Sequence, residues 1–255
     1  MTLVSETRDG VVLTLTLGSA PAHPLSLGMI RDLHAALDRA AADRDARLVV
    51  IDGPGHIFCA GHDLKEIARH RADADDGEAY LTELFAACGD MMQALVAMPQ
   101  ATLARIEGIA TAGGLQLVAS CDLAIASPEA TFALPGVRNG GFCTTPAVAV
   151  GRAVGRKALM DLALSGKPKS ADWALRTGLI NEVLPTAELD GWIADLAETL
   201  AASNPVAIAA GKRMTYAQLD MPLAQAYAEA TQVMIGHFMD PERIARERAR
   251  WASKA

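Results

Sequence analysis

Two glycine-bearing turns carry the residues best suited to chemistry: GHIFCAGHD over 55–63 and IEGIATAGGLQL over 106–117. Each follows an apolar stretch of strand character, RLVVI at 47–51 and ATLAR at 101–105. Each turn would therefore offer main-chain N–H groups at the carboxyl end of a sheet strand, where α/β folds bind ligands. Two such donors aimed at one carbonyl oxygen stabilise the enolate or tetrahedral oxyanion that forms as an ester or thioester reacts, an effect of ~3 kcal/mol per donor. Gly113 and Gly114 stand side by side at a helix start, where glycine costs ~1 kcal/mol relative to alanine. The pair is read either as bare backbone kept for binding or as close packing of a helix start against a strand.

Other reactive side chains have plainer readings beside the chemical ones. Cys143, in GGFCTTP, would sit at a helix start that can lower a thiol pKa, or serve as a small buried apolar residue. Lys65, Arg69, His70 and Arg71 form a basic cluster that fits either phosphates or a solvated helix face. Asp63 is read as a structural residue that bonds loop amides. The four cysteines, Cys59, Cys88, Cys121 and Cys143, lack CxxC spacing, which argues for free thiols in a reducing compartment and against a zinc site.

Composition narrows the function further. A net charge of −7 with three Trp and three Tyr gives little support for a nucleic-acid groove. No apolar run approaches the ~20 residues that span a bilayer, and MTLVSETRDG lacks a signal-peptide pattern, so a soluble, cytoplasmic protein is expected.

The elements that would position the turns follow from periodicity. Asp9–Gly10 between TLVSETR and VVLTLTL predicts a hairpin. Ser26 is expected to cap a helix with Leu27, Ile30, Leu33, Leu37 and Ala41 on its apolar face. A helix over about 79–97 ends before Pro99, and DLAIAS at 122–127 predicts a further strand. Alternating strands and helices favour a parallel sheet with crossover helices. From about residue 190 the pattern becomes wholly helical, broken at Asn204–Pro205, Asp220–Pro222 and Asp240–Pro241, which divides the chain into a core, 1–190, and a helical region, 191–255.

With these residues in view, the sequence resembles the crotonase superfamily, the enoyl-CoA hydratase/isomerase family. FCAGHDLKEI, GIATAGGLQLVASCDLAIAS and GRAVGRKALMDLALSGKPKSADWALRTGLINEVLP resemble three of its motifs in order and at the right separations. The resemblance implies an α/β spiral of ββα units and a helical C-terminal region that assembles homotrimers, often paired into hexamers. It also implies an acyl-CoA thioester substrate from fatty-acid metabolism, with coenzyme A part of that substrate and neither a separate cofactor nor a metal. The oxyanion donors carried over are the main-chain N–H groups of His62 and Gly113, with the His62 ring lining the pocket. Substrate contacts carried over are Ala60, Asp63, Leu64, Asn139 and Cys143, with backbone at Ala22 and His23 toward the adenine. Lys212 matches a family lysine.

The departures fall on the mechanism. Where family hydratases carry two glutamates, this chain has Gln116 and Gly136. An amide orients water but does not exchange its proton, and glycine does neither. Ordinary syn-hydration is therefore doubtful. The alternatives are decarboxylation of the methylmalonyl-CoA type, whose enzymes also carry a histidine in this turn, isomerisation through another acid, thioester hydrolysis, or acyl-CoA binding without turnover. A dehalogenase is disfavoured because no Asp lies near Asn139.

Overall fold

The computed structural model describes residues 2–252. Its chain opens with strands β1 (Val4–Asp9) and β2 (Val12–Leu17), paired antiparallel with Asp9 opposite Val12 and Gly10 at φ 55 in the turn. Leu13, Leu15 and Leu17 of β2 are buried while the intervening threonines are partly exposed, the alternation of a strand with one face on the core. Helix α1 (Leu27–Ala42) starts at Ser26, whose hydroxyl accepts the N–H of Met29 at 3.0 Å. Its inward face is Met29, Ile30, Leu33, Ala36, Leu37 and Ala40. Ala41, expected there, is exposed: Ala40 lies at i+3 from Leu37 and i+4 from Ala36, on the buried stripe.

Three ββα turns then build the scaffold. The first holds β3 (Leu48–Asp52), β4 (Ile57–Cys59), α2 (Leu64–His70) and α3 (Glu78–Ala97). The second holds β5 (Ala101–Ile106), β6 (Ile109–Thr111) and α4 (Gly113–Ser120). The third holds β7 (Leu123–Ala126), β8 (Thr131–Ala133), a 3-10 turn at Pro135–Asn139, α5 (Thr144–Ala153) and α6 (Arg156–Ser165). Each turn places its first strand in one sheet and its second in another. With β9 (Lys169–Ser170), α7 (Ala171–Thr177) and β10 (Glu182–Val183), the result is a six-stranded sheet, β1-β2-β3-β5-β7-β10, and a four-stranded sheet, β4-β6-β8-β9. Pairing is parallel except for β1 with β2 and β8 with β9. This is the expected α/β spiral. The short strands β4 and β6 of the smaller sheet lie inside the two segments read from sequence as turns, because three residues are too few to show a period of two.

Polar residues lock the spiral's returns. Asp122, just before β7, accepts both the N–H and the hydroxyl of Thr102 on β5, at 2.8 and 2.9 Å. Arg105 at the end of β5 donates to Glu107 at 2.5 Å and to Asp190 at 2.9 Å, and stands 3.5 Å from Asp52. Helix α8 (Thr186–Ala201), which carries Asp190, crosses the boundary expected at residue 190, and the compact units divide after Ala202.

The second unit contains helices α9 (Pro205–Ala217), α10 (Leu223–Phe238) and α11 (Pro241–Ala252) and, as expected, no strand among its described residues. Asn204 caps α9 through the N–H groups of Val206 and Ala207. Val206, Leu223, Tyr227, Phe238 and Met239 are exposed apolar residues. The last residues of the fourth predicted helical segment, 253–255, lie outside the described residues.

Candidate functional site

The two predicted turns abut. The strand-like run 22–25 lies beside 60–63: Ala60 N–H donates to the Ala22 carbonyl at 3.0 Å, Leu25 N–H to that of Gly61 at 2.8 Å, and Asp63 N–H to that of Leu25 at 3.4 Å. This is a parallel bridge between Leu25 and His62. In such a bridge the central residue's own N–H points away from its partner strand, so the His62 amide faces the opposite side. That side carries the second turn. A methyl built on Gly61 would lie 2.9 Å from Gly113 N, and one built on Gly113 would lie 3.7 Å from His62 N. Gly113 is the first residue of α4, where N–H groups have no partner within the helix. Neither the His62 nor the Gly113 amide has a hydrogen-bond partner among the described residues.

Strain holds the second turn in place. Ala112, ahead of α4, has φ 51 and ψ −118, a conformation that costs alanine ~1–3 kcal/mol. It is pinned on both sides, its N–H bonded to the Ala133 carbonyl at 3.0 Å and its own carbonyl accepting from Gln116 N–H at 3.1 Å. The glycine pair has divided duties. A methyl on Gly114 would stand 2.1 Å from the Cys59 carbonyl oxygen, so Gly114 serves close packing of α4 on β4. Gly113 presents its amide.

The His62 ring lies edge-on to Phe85 of α3, with centroids 5.0 Å apart at 90°. Its Nδ1 is 3.4 Å from the Leu25 carbonyl oxygen, and its Nε2 is buried without a protein partner. Burial lowers the ring's pKa below the usual 6.5, against a smaller upward pull from the Leu25 carbonyl. The ring is therefore neutral at pH 7. Because a carbonyl only accepts, the neutral ring on Leu25 carries its hydrogen on Nδ1 and a bare lone pair on Nε2. Gln116, one helical turn after Gly113, is buried at 5% exposure, and its Oε1 likewise lacks a protein partner.

Gly136 differs from a position that has merely lost a side chain. A methyl there would lie 2.6 Å from Cys143 N and 2.7 Å from the Phe142 carbonyl carbon, so the main chain of 142–143 fills the space a side chain would take. Cys143 accepts the Gly136 N–H on its sulfur at 3.2 Å and precedes α5 as its cap. Burial pushes its thiol pKa up, against a smaller downward pull from that bond. This is the opposite of an activated thiolate, and it favours the plain reading of Cys143.

The remaining predicted residues separate. Asp63 caps α2, its Oδ1 accepting from Lys65 and Glu66 N–H at 2.9 and 3.2 Å, as the structural reading expected. Leu64 beside it is exposed. The Ala60 N–H is taken by the Ala22 carbonyl, and the His23 N–H by the Ser19 carbonyl at 2.8 Å. His23 is buried at 1% exposure, with ring Nε2 3.0 Å from the Pro54 carbonyl oxygen and Nδ1 unpartnered. Asn139 is exposed at the end of the 3-10 turn. In the basic cluster, His70 pairs with Asp73 at 2.7 Å and stacks on Tyr80, and Arg71 donates to the Asp76 carbonyl. No trio of metal-ligating side chains occurs among the described residues, and no helix is long and apolar enough to cross a membrane. Sequence reasoning missed Leu25, Ala112 and Phe85. A positive φ on alanine and a contact from a distant helix leave no local signal. An open groove of about 410 Å³ in the second unit, lined by Asn204, Arg213, His237 and Asp240 among others, involves none of the predicted residues.

The spiral and its abutting turns define a crotonase-type α/β protein. The family model "Enoyl-CoA hydratase/isomerase" matches residues 7–254. Enoyl-CoA hydratase domain-containing protein 3, mitochondrial, of Rattus norvegicus is 39% identical over 228 residues, 89% of this chain and 74% of that protein. Among solved structures, an enoyl-CoA hydratase/isomerase family protein from Silicibacter pomeroyi is 55% identical with a TM-score of 0.88, covering 93% of this chain and 100% of that one. The enoyl-CoA hydratase of Mycobacterium smegmatis is 40% identical with a TM-score of 0.91, covering 98% and 96%. The chain belongs to the enoyl-CoA hydratase/isomerase family, and with it to the enzymes that bind acyl-CoA thioesters. The cytoplasmic expectation is corrected by the same findings: the rat protein and the other vertebrate proteins of that name are mitochondrial. Unpaired thiols marked a reducing environment, which distinguishes neither the cytosol nor the mitochondrial matrix.

Proposed function

We propose that this enzyme binds an acyl-CoA thioester with its carbonyl oxygen between the main-chain N–H groups of His62 and Gly113, and that the reaction proceeds through the enolate so stabilised. The observation that carries this reading is the pair of unpartnered amides on abutting turns, one of them held by a strained Ala112. Two such donors lower the barrier to an enolate by several kcal/mol, ~3 kcal/mol for each. Fast hydration needs a second ingredient, a group that exchanges protons with water, and neither Gln116 nor Gly136 supplies it. Decarboxylation is the second reading, favoured by the same absence of paired carboxylates, since loss of CO₂ generates the enolate without a base.

Incubation with crotonyl-CoA, methylmalonyl-CoA and butyryl-CoA, followed by mass spectrometry of the thioesters, tests this. Binding of all three is expected, with crotonyl-CoA hydration about 100-fold or more slower than in a relative bearing both glutamates. Hydration at that relative's rate, or no affinity for any thioester, would overturn it. For the second unit, we propose the homotrimeric or hexameric assembly the family resemblance implies; its exposed Leu223, Tyr227 and Phe238 support this. Light scattering that returns a monomer would contradict it.

A further inference from the structure

Glu66 stands three residues after Asp63, the cap of α2, a spacing at which a glutamate ordinarily turns back to bond the cap's own N–H. Here it does not. The Asp63 N–H goes to the Leu25 carbonyl, and Glu66 Oε2 instead accepts the N–H of Leu27 at 3.0 Å. Leu27 is the first residue of α1, so its N–H has no partner within that helix. The carboxylate thus joins the start of α2 to the start of α1, across 39 residues of sequence. The tie falls where the pairing of 22–25 with 60–63 weakens. Ala60 N–H to Ala22 and Leu25 N–H to Gly61 measure 3.0 and 2.8 Å, whereas Asp63 N–H to Leu25, the bond just past His62, measures 3.4 Å, longer than the usual N–H···O range. Main-chain bonds ahead of His62 and a carboxylate bond beyond it therefore bracket the residue whose amide faces Gly113. Glu66 is itself held, its own N–H bonded to Asp63 Oδ1 at 3.2 Å.

We propose that Glu66 is a positioning residue for the oxyanion site: its bond to Leu27 locks 22–27 against 60–63 and so fixes the direction of the His62 N–H toward the oxygen it shares with Gly113. The proposal rests on the oxyanion reading above. Glu66 acts through Leu27 and Leu25 on His62. An oxyanion donor is effective because its direction is set before the reaction begins, and a donor free to swing loses that advantage. With the carboxylate removed, the long bond from Asp63 to Leu25 is the last main-chain link between the two segments on that side of His62. The start of α2 can then part from the start of α1, and the His62 peptide turns with it. The tie needs a lone pair on the Leu27 N–H rather than a charge, so a neutral acceptor of the same length replaces it.

The test is the carbonyl stretch of ¹³C-labelled butyryl-CoA bound to each variant, with calorimetry on the same samples to set saturating concentrations. A tie that only stabilises the fold lowers the melting temperature and leaves this band alone, so the band separates the two roles. In wild-type protein the band is expected below its solution wavenumber. Glu66→Ala is expected to return it toward the solution position, and Glu66→Gln, which keeps an acceptor at the same reach, to leave it at the wild-type position. Leu27→Pro removes the donor at the other end of the tie and is expected to act as Glu66→Ala does. Proline suits the first position of a helix, and Ser26 before it, at φ −68 and ψ 162, already has the extended conformation a proline requires. If Glu66→Ala fails to fold, Leu27→Pro decides. A wild-type band in either variant that breaks the tie, or a band in Glu66→Gln displaced as far as in Glu66→Ala, overturns the proposal and leaves the carbonyl-binding reading standing. A band at the solution position in the wild-type complex defeats that reading first and the proposal with it.

Discussion

The sharpest consequence of the abutting turns lies at Gly61. This residue has φ 82, and a methyl added to it would stand 2.9 Å from both the Ala112 methyl and Gly113 N, and 3.1 Å from the Thr111 carbonyl oxygen. Gly61→Ala therefore combines a left-handed conformation, ~1 kcal/mol for alanine, with overpacking against main chain, ~2 kcal/mol. The sum of about 3 kcal/mol corresponds to a fall in Tm of about 6–12 °C for a chain of this size. Relief comes from pushing residues 111–113 and 60–62 apart, which separates the Gly113 amide from the His62 amide and from the oxygen the two would share. Loss of one such donor slows turnover by about 100-fold or more. Thermal melts by circular dichroism and deuterium uptake into butyryl-CoA measure the two effects on one preparation. A variant that melts within about 1 °C of wild type and exchanges at the wild-type rate would refute the packing argument and the site built on it.

Three further outcomes are expected. Gln116→Glu with Gly136→Glu yields no rise in crotonyl-CoA hydration and lowers stability by about 1–3 kcal/mol in denaturant titrations, because the main chain of 142–143 occupies the space the second side chain needs; a hydratase gained at wild-type stability would contradict this. Burial holds the folded pKa of His62 below the unfolded value of 6.5, so the unfolded chain binds the extra proton, and the stability tied to the neutral ring is full above 6.5 and lost as pH falls toward the folded pKa. Guanidinium titrations from pH 7.5 downward check this: His62→Gln loses less stability on acidification, and a parallel loss would contradict the assignment. Burial pushes the thiols of Cys59 and Cys88 up to about 12 and about 11. In the native protein both react with a thiol reagent far more slowly than Cys143 at pH 8, and reaction of Cys59 ahead of Cys143 would show that β4 is open.

Long periodic features were legible in the sequence. The hairpin at Asp9–Gly10, the cap at Ser26, the parallel order of RLVVI, ATLAR and DLAIAS and the helical tail all rest on repeats or turn chemistry spread over many residues. The candidate site was legible in its turns, since glycine pairs mark where backbone must come close. It was not legible where the deciding fact is three-dimensional. Gly136 read as a missing side chain, whereas the returning segment at Phe142 and Cys143 leaves no room for one. At Ala22 and His23 the sequence does not show that the Ala22 carbonyl accepts the Ala60 N–H or that the His23 N–H goes to Ser19. The first compact unit runs to Ala202, the end of α8, and Asp190 on that helix reaches Arg105, a contact between residues far apart in sequence.

The central claim is that the amides of His62 and Gly113 grip one acyl oxygen, and vibrational difference spectroscopy of a bound thioester with a ¹³C-labelled carbonyl reads that grip directly. The account predicts that the carbonyl stretch of butyryl-CoA moves to lower wavenumber on binding wild-type protein and returns toward its solution position with Gly61→Ala. A band that stays at its solution position in the wild-type complex would contradict it.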